Sequence, residues 1–174
     1  EGTLLDAVSH FSALPGGVEA LAKVAFGKTK REYLKAHSAI IQKPVTKQGI
    51  QVLRNALAKA PGYGYFLFDL YGGAVARVDP KATAFVHRED TKLVVQMIIE
   101  PPQGSSKTQA WLSEAYKSVK PHFSSSAYQN YIDRDLKDWQ SAYFRVNFKR
   151  LVEIKKKYDP TNVFNFAQSI PVKA

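Results

Sequence analysis

The chain has 174 residues, of which 45% are hydrophobic and 12% aromatic, enough for one domain with a sizeable core and too apolar for a disordered polymer. It contains no cysteine, which excludes internal disulfides, zinc–thiolate centres and a thiol nucleophile, and no apolar run approaches the length of a membrane span. The net charge of +10 raises a polyanionic partner, but the lysines and arginines are scattered and no nucleic-acid-binding motif accompanies them.

In chain order, Leu4, Leu5, Val8, Phe11 and Leu14 recur at helical spacing, predicting a helix over 3–14 that Pro15-Gly16-Gly17 ends. The opening residues EGTLLDAVSH have neither the basic head nor the apolar middle of a signal peptide, and no initiator Met. A second helix is predicted over 18–26, stopping at Gly27. REYLKAHSAII (31–41) lacks a helical period and reads as a strand. After Pro44, the spacing of Ile50, Leu53, Ala56 and Leu57 predicts a helix from Lys47 to about Ala60, closed by Pro61-Gly62.

YGYFLFDLYGGAVARVD (63–79) alternates aromatic and aliphatic residues. It predicts a strand interrupted at Gly72-Gly73 and resumed over Ala74–Val78. ATAFVHRED (82–90) reads as a short strand or loop, and KLVVQMIIE (92–100) as a strand ended by Pro101-Pro102. Helices are predicted over 106–119, 135–144 and 147–158, the last halted by Pro160. In that last helix Phe148, Leu151, Val152 and Tyr158 fall on one face, Lys149, Arg150, Lys156 and Lys157 mostly elsewhere, and Glu153 can pair with Lys157. Helices and strands mix without a regular βαβ beat. The expected class is therefore α+β, an antiparallel sheet covered by helices on one face.

AYQNYIDRDLKDW (127–139) stands out: Tyr128 and Tyr131 lie three positions apart around Asn130. It is either an aromatic helix surface or a loop holding a phenol over something reactive. Taken alone, Tyr131 reads as a core tyrosine with its hydroxyl bonded, and Asp69 as a solvent-facing strand carboxylate. His10, His37 and His122 show no ligand spacing, so no metal is expected. No Gly-x-Ser-x-Gly elbow marks a serine hydrolase.

The segment NFKRLVEIKKKYDPTNVFNFAQSIP (147–171) resembles the carboxy-terminal signature of berberine-bridge-enzyme-like flavoproteins, FAD-linked oxidases of the vanillyl-alcohol-oxidase class. The match runs through Asn147, Arg150-Leu151, Lys155–Lys157, Asp159-Pro160, Asn162-Val163-Phe164 and Gln168-Ser169-Ile170-Pro171. DLYGGAVARVDPKATAFVHR (69–88) and AYQNYIDRDL (127–136) resemble two further blocks in the same order, as does KAHSAIIQKP (35–44). The resemblance implies a two-domain FAD-linked oxidase fold, with 1–126 as part of the substrate-binding domain and 127–174 packing toward a flavin-binding domain that this chain lacks. It implies a secreted protein that is part of a longer polypeptide or a processed chain, with a stand-alone relic as the alternative, whose partners are that flavin-binding domain and a small alcohol or saccharide.

In that family a substrate alcohol loses a hydride to flavin N5 while a base takes its hydroxyl proton. The resemblance assigns the base to Tyr131 with Asp69 as its partner, and leaves open which of the two takes the proton. A phenol is a poor base at neutral pH and needs an acceptor or a cation beside it. Tyr128 and Asn130 are the implied cofactor-lining residues. Gly72-Gly73 would let backbone pass close to another element, and His87 and Arg88 are expected to be structural. One departure is plain: where the family carries glycine, this chain has Arg145. The competing expectation is a non-catalytic module for acidic polysaccharide or another polyanion, with nucleic acid a more distant one.

Overall fold

The computed structural model describes residues 33–88, 91–100 and 105–173, together with Thr3, Glu19 and Lys23. The chain divides into two compact units, Glu1–Glu32 and Tyr33–Ala174, and the described elements belong to the second. The helices expected over 3–14 and 18–26 lie outside the described residues.

Three strands form one antiparallel sheet: β1 (Lys35–Ile41), β2 (Gly64–Leu70) and β3 (Leu93–Ile99), in the order β1-β3-β2. β3 is central, with His37 opposite Met97 on one side and Phe66 opposite Met97 on the other. Six of its seven residues are buried, which is why its sequence reads as a nearly unbroken apolar run rather than an alternation. Since directly opposed residues share a face, the register separates two sets. His37, Ala39, Phe66, Phe68, Val95 and Met97 point one way. Ser38, Ile40, Tyr65, Leu67, Asp69, Val94 and Gln96 point the other.

Helices α1 (Lys47–Ala58) and α3 (Ser106–Val119) cover the first face. Met97, Ile99, Leu112, Ala115 and Val119 form its centre, with Val52, Leu53, Phe66 and Trp111 packed against them. Burying each large aliphatic side chain here contributes about 1.5–3 kcal/mol. Trp111 is half polar in its duty: its indole Nε1–H donates to the Ala56 carbonyl at 3.0 Å, tying α3 to α1. Thr46 starts α1 by accepting from the Gly49 N–H at 3.1 Å. The buried stripe of α1 differs in part from the expected one: Ile50 and Leu57 are exposed.

The strand expected over Ala74–Val78 is instead a short helix, α2 (Gly73–Ala76). Gly72 and Gly73 sit at φ +158° and +49°, conformations that turn the chain out of the sheet. The helix expected over 135–144 is shorter, α4 (Trp139–Phe144). Asp133 has captured the preceding residues in a turn, accepting from the Asp135 N–H on its side chain at 3.0 Å and from the Leu136 N–H on its carbonyl at 3.1 Å. α5 (Phe148–Tyr158) follows with Val152 buried, but Tyr158 is exposed, and Glu153 pairs with Arg150 rather than Lys157.

The tail after α5 is held by side chains. Asp159 accepts from the Val163 N–H at 2.7 Å and the Phe164 N–H at 3.1 Å, and it is ion-paired with Lys155. Lys155 also donates to the Phe164 carbonyl. Together they fold the Asp-Pro-Thr-Asn turn, where Asn162 takes φ +58°. Asn147 donates to the carbonyls of Pro80 and Thr83 at 2.6 and 3.1 Å, and Gln168 to those of Asp133 and Leu136 at 2.8 and 3.3 Å.

Candidate active site

The sheet face turned away from α1 and α3 carries the chemistry. Asp69 on β2 and Gln96 on β3 are diagonal neighbours there, and the Gln96 amide Nε2 donates to Asp69 Oδ2 at 2.7 Å. Gln96 is buried, and its Oε1 has no partner among the described residues. A buried acceptor left open beside a carboxylate fits a donor from a bound molecule, such as a substrate hydroxyl or a flavin N–H.

Residues 127–136 cross to this face as a loop, settling the first of the two alternatives against a helix. The Tyr128 N–H donates to Ser38 Oγ at 2.9 Å, placing the loop on the same side of β1 as Gln96 on β3. The Tyr131 N–H turns back to the Tyr128 carbonyl at 3.3 Å, bringing the two rings to 5.6 Å. Asn130 donates to the Tyr128 hydroxyl at 2.8 Å. Tyr128 meets Phe85 edge-on at 6.2 Å, and Phe85 stacks on Tyr71 at 5.9 Å and meets buried His87 edge-on at 5.5 Å.

Tyr71 is the hub. Burial pushes its phenol up to about 12, reinforced by the hydrogen-bonded Tyr128 and by the charge of Asp69 and the phenol of Tyr131 nearby. Tyr65, at the other end of β2 on the same face, is also pushed up to about 12 by burial and by its 2.6 Å hydrogen bond to Glu100, with Tyr131 close enough to contribute. Both therefore stay protonated at neutral pH and act as hydrogen-bond donors, not as bases. Asp69, Tyr128 and Tyr131 thus gather around Tyr71, and Asn130 joins them through the Tyr128 hydroxyl. The hydrogen bond Asp69 makes is to Gln96. Gln96 itself escaped the sequence reading, although it is the single polar residue in LVVQMII; Tyr71 and Phe85 escaped because aromatic residues in a β-rich stretch look like core.

A second polar cluster lies at the edge of β1. His37 Nδ1 is 2.5 Å from Asp133 Oδ2, Lys35 is ion-paired with Asp135, and the His37 ring stacks on Tyr116 at 4.6 Å. The His37, Asp133 and Asp135 ligand atoms lie within 4.8 Å of one another. The Lys35 ammonium supplies a positive charge to this group through its ion pair with Asp135. His122 falls in the 3-10 turn Lys120–His122, and His10 lies outside the described residues. None of the described helices is long and apolar enough to cross a membrane.

Comparison with known proteins gives a consistent answer. Residues 127–171 match the family described as berberine and berberine like. The chain is 30% identical to monolignol oxidoreductase AtBBE-like 13 of Arabidopsis thaliana over 99% of its own length and 35% of that protein. It is 29% identical to reticuline oxidase of Eschscholzia californica over 91% of this chain and 34% of that one. Among solved structures, Physcomitrella patens BBE-like 1 superposes with a TM-score of 0.82 at 31% identity, covering 99% of this chain and 37% of that one. Berberine bridge enzyme from Eschscholzia californica superposes with 0.82 at 27%, covering 97% and 38%. The chain spans about a third of the length of the curated relatives it matches.

Proposed function

From the premise that this is a berberine-bridge-enzyme-like chain, matching the C-terminal part of an FAD-linked oxidase, we propose that its Asp69–Tyr131 face is the proton-accepting wall of an alcohol-oxidising site. FAD, when bound by the flavin-binding domain proposed as this chain's partner, supplies the hydride acceptor. The residues of this chain handle the proton and the shape of the pocket.

The convergence of Asp69, Gln96, Tyr71, Tyr128 and Tyr131 on one face carries this proposal. Asp69, held by Gln96, supplies the carboxylate toward which a hydroxyl proton moves. Tyr131 offers the phenol oxygen that contacts the hydroxyl, while Tyr71 keeps its proton and orients Tyr128. Asn130 fixes the Tyr128 hydroxyl from the other side. The walls of Tyr71, Phe85 and Tyr128 suit a ring-bearing alcohol, an aromatic secondary metabolite or a sugar. We place such an enzyme outside the cell, by analogy with its relatives.

Rapid-mixing measurement of flavin bleaching under anaerobic conditions tests this in the flavin-loaded protein. Tyr131→Phe and Asp69→Asn are each expected to slow reduction by an alcohol substrate by about 10²–10⁴-fold, the usual contribution of a positioned acid or base, with the oxidised spectrum unchanged. Native reduction rates in both variants, or a purified protein without flavin bands, would sink the proposal. A colourless protein retained on a polyanionic resin until high salt would instead favour a polysaccharide-binding module, for which exposed Lys149, Arg150, Lys156 and Lys157 on α5 are the available surface.

A further inference from the structure

The loop that bears Tyr131 is fastened to one strand from both sides. Before Tyr131, the Tyr128 N–H is held by Ser38; after it, Asp133 is held by His37 and Asp135 by Lys35. Lys35, His37 and Ser38 all belong to β1. His37 and Asp133 are each only 4% exposed, so neither has bulk water as an alternative partner. A carboxylate at that depth is costly unless it is paired and hydrogen-bonded.

Asp133 is fully committed. Its Oδ2 faces His37, its Oδ1 accepts from the Asp135 N–H, its own N–H donates to the Tyr143 hydroxyl at 2.9 Å, and its carbonyl accepts from Gln168. His37 is in turn clamped flat on Tyr116 of α3. The charged groups around the pair are Lys35 and Asp135, with Lys117, Lys120, Lys137 and Asp138 lining the same cleft of about 370 Å³.

We propose that His37 is a positioning residue: its hydrogen bond to Asp133 pins the Tyr128–Asp135 loop to β1 and so holds Tyr131 in place over the Asp69–Gln96 face. His37 touches neither substrate nor reacting atoms. It lies on the opposite side of the sheet from Asp69 and acts around the edge of β1, through Asp133. This rests on the role proposed above for Tyr131, but the pinning itself does not.

Hydrogen exchange followed by mass spectrometry on the flavin-loaded protein reads the pin directly. Asp133→Asn keeps the shape and an acceptor for the imidazole but removes the charge; His37→Phe keeps the stack on Tyr116 and removes the bond. At least one variant is expected to speed exchange of the amides at 128–131 about tenfold or more while β3 exchanges as before. Unchanged exchange at 128–131, or acceleration spread evenly over β3 as well, would overturn the pin. Failure of both variants to fold would also overturn it, since the pair would then serve general stability.

The coupling to Tyr131 is read from flavin reduction. With a substrate, Asp133→Asn is expected to lower kcat about tenfold with KM little changed, and to have no further effect in a Tyr131→Phe background. Full additivity would overturn the positioning role. A silent Tyr131→Phe would count against the function proposed above and leave the exchange result to decide the pin.

Discussion

Arg145 shows what a single backbone angle can dictate. It sits at φ +46° and ψ −124°, between α4 and α5, in a region that glycine occupies freely and a side chain does not. The resemblance noted in the sequence implies a glycine at this corner, and Arg145 stands at a backbone angle that glycine would suit. Replacing Arg145 by Gly is expected to raise stability by about 1 kcal/mol, the relief of strain exceeding the added freedom of the unfolded chain. The thermal midpoint should rise by roughly 2–8 °C. Arg145→Ala is the control: it removes the same side chain but keeps a Cβ, and should give no such rise. An equal rise in both variants would place the effect in the side chain rather than the backbone.

Among elements, the turn after α5 makes the sharpest prediction. Lys155 beside Asp159, together with the Val163 and Phe164 N–H groups, holds the Asp159 carboxyl below the ordinary carboxylate range. A depressed folded value means the turn's contribution is present above the unfolded value and lost as pH falls through the folded one. Thermal midpoints of the native protein should therefore drop across the acid side of the carboxylate range, and those of Asp159→Asn should drop less there. Parallel curves would show that this turn does not sense acid. Such turns also show what is legible in a sequence. α3 was readable to its ends because its apolar spacing and the following Pro121 agree, and β3 because seven residues of LVVQMII fit no exposed element. Ala74–Val78 was not, because β propensity there has no neighbouring strand to satisfy it once two glycines turn the chain. Of the proposed site, Asp69 and Tyr131 are suggested by motif resemblance. Gln96 and His37 are not, because their meaning comes from partners 27 and 96 positions away that only the register of the sheet and the path of the loop reveal.

At the scale of the molecule, the surface left apolar is informative. Leu70 is 85% exposed at the end of β2, and Tyr158, Val163 and Phe164 are each at least 73% exposed around the tail. These are surfaces against which a flavin-binding domain is proposed to pack. Residues 33–174 expressed alone are expected to bind a hydrophobic dye and to self-associate. Val163→Ser with Phe164→Ser should cut the dye signal by about half with far-ultraviolet dichroism unchanged. Absence of dye binding by the isolated segment would show that these side chains close up on themselves. A different consequence follows from the Gln168 bonds to the carbonyls of Asp133 and Leu136. On a ribosome β1 emerges first, and His37 then waits for a partner 96 residues later; the last fastening arrives 35 residues after that. The proposed site would thus be the last part of this sheet to set during synthesis, and the nascent chain would hold an unlocked tyrosine loop until the Gln-Ser-Ile tail had left the exit tunnel.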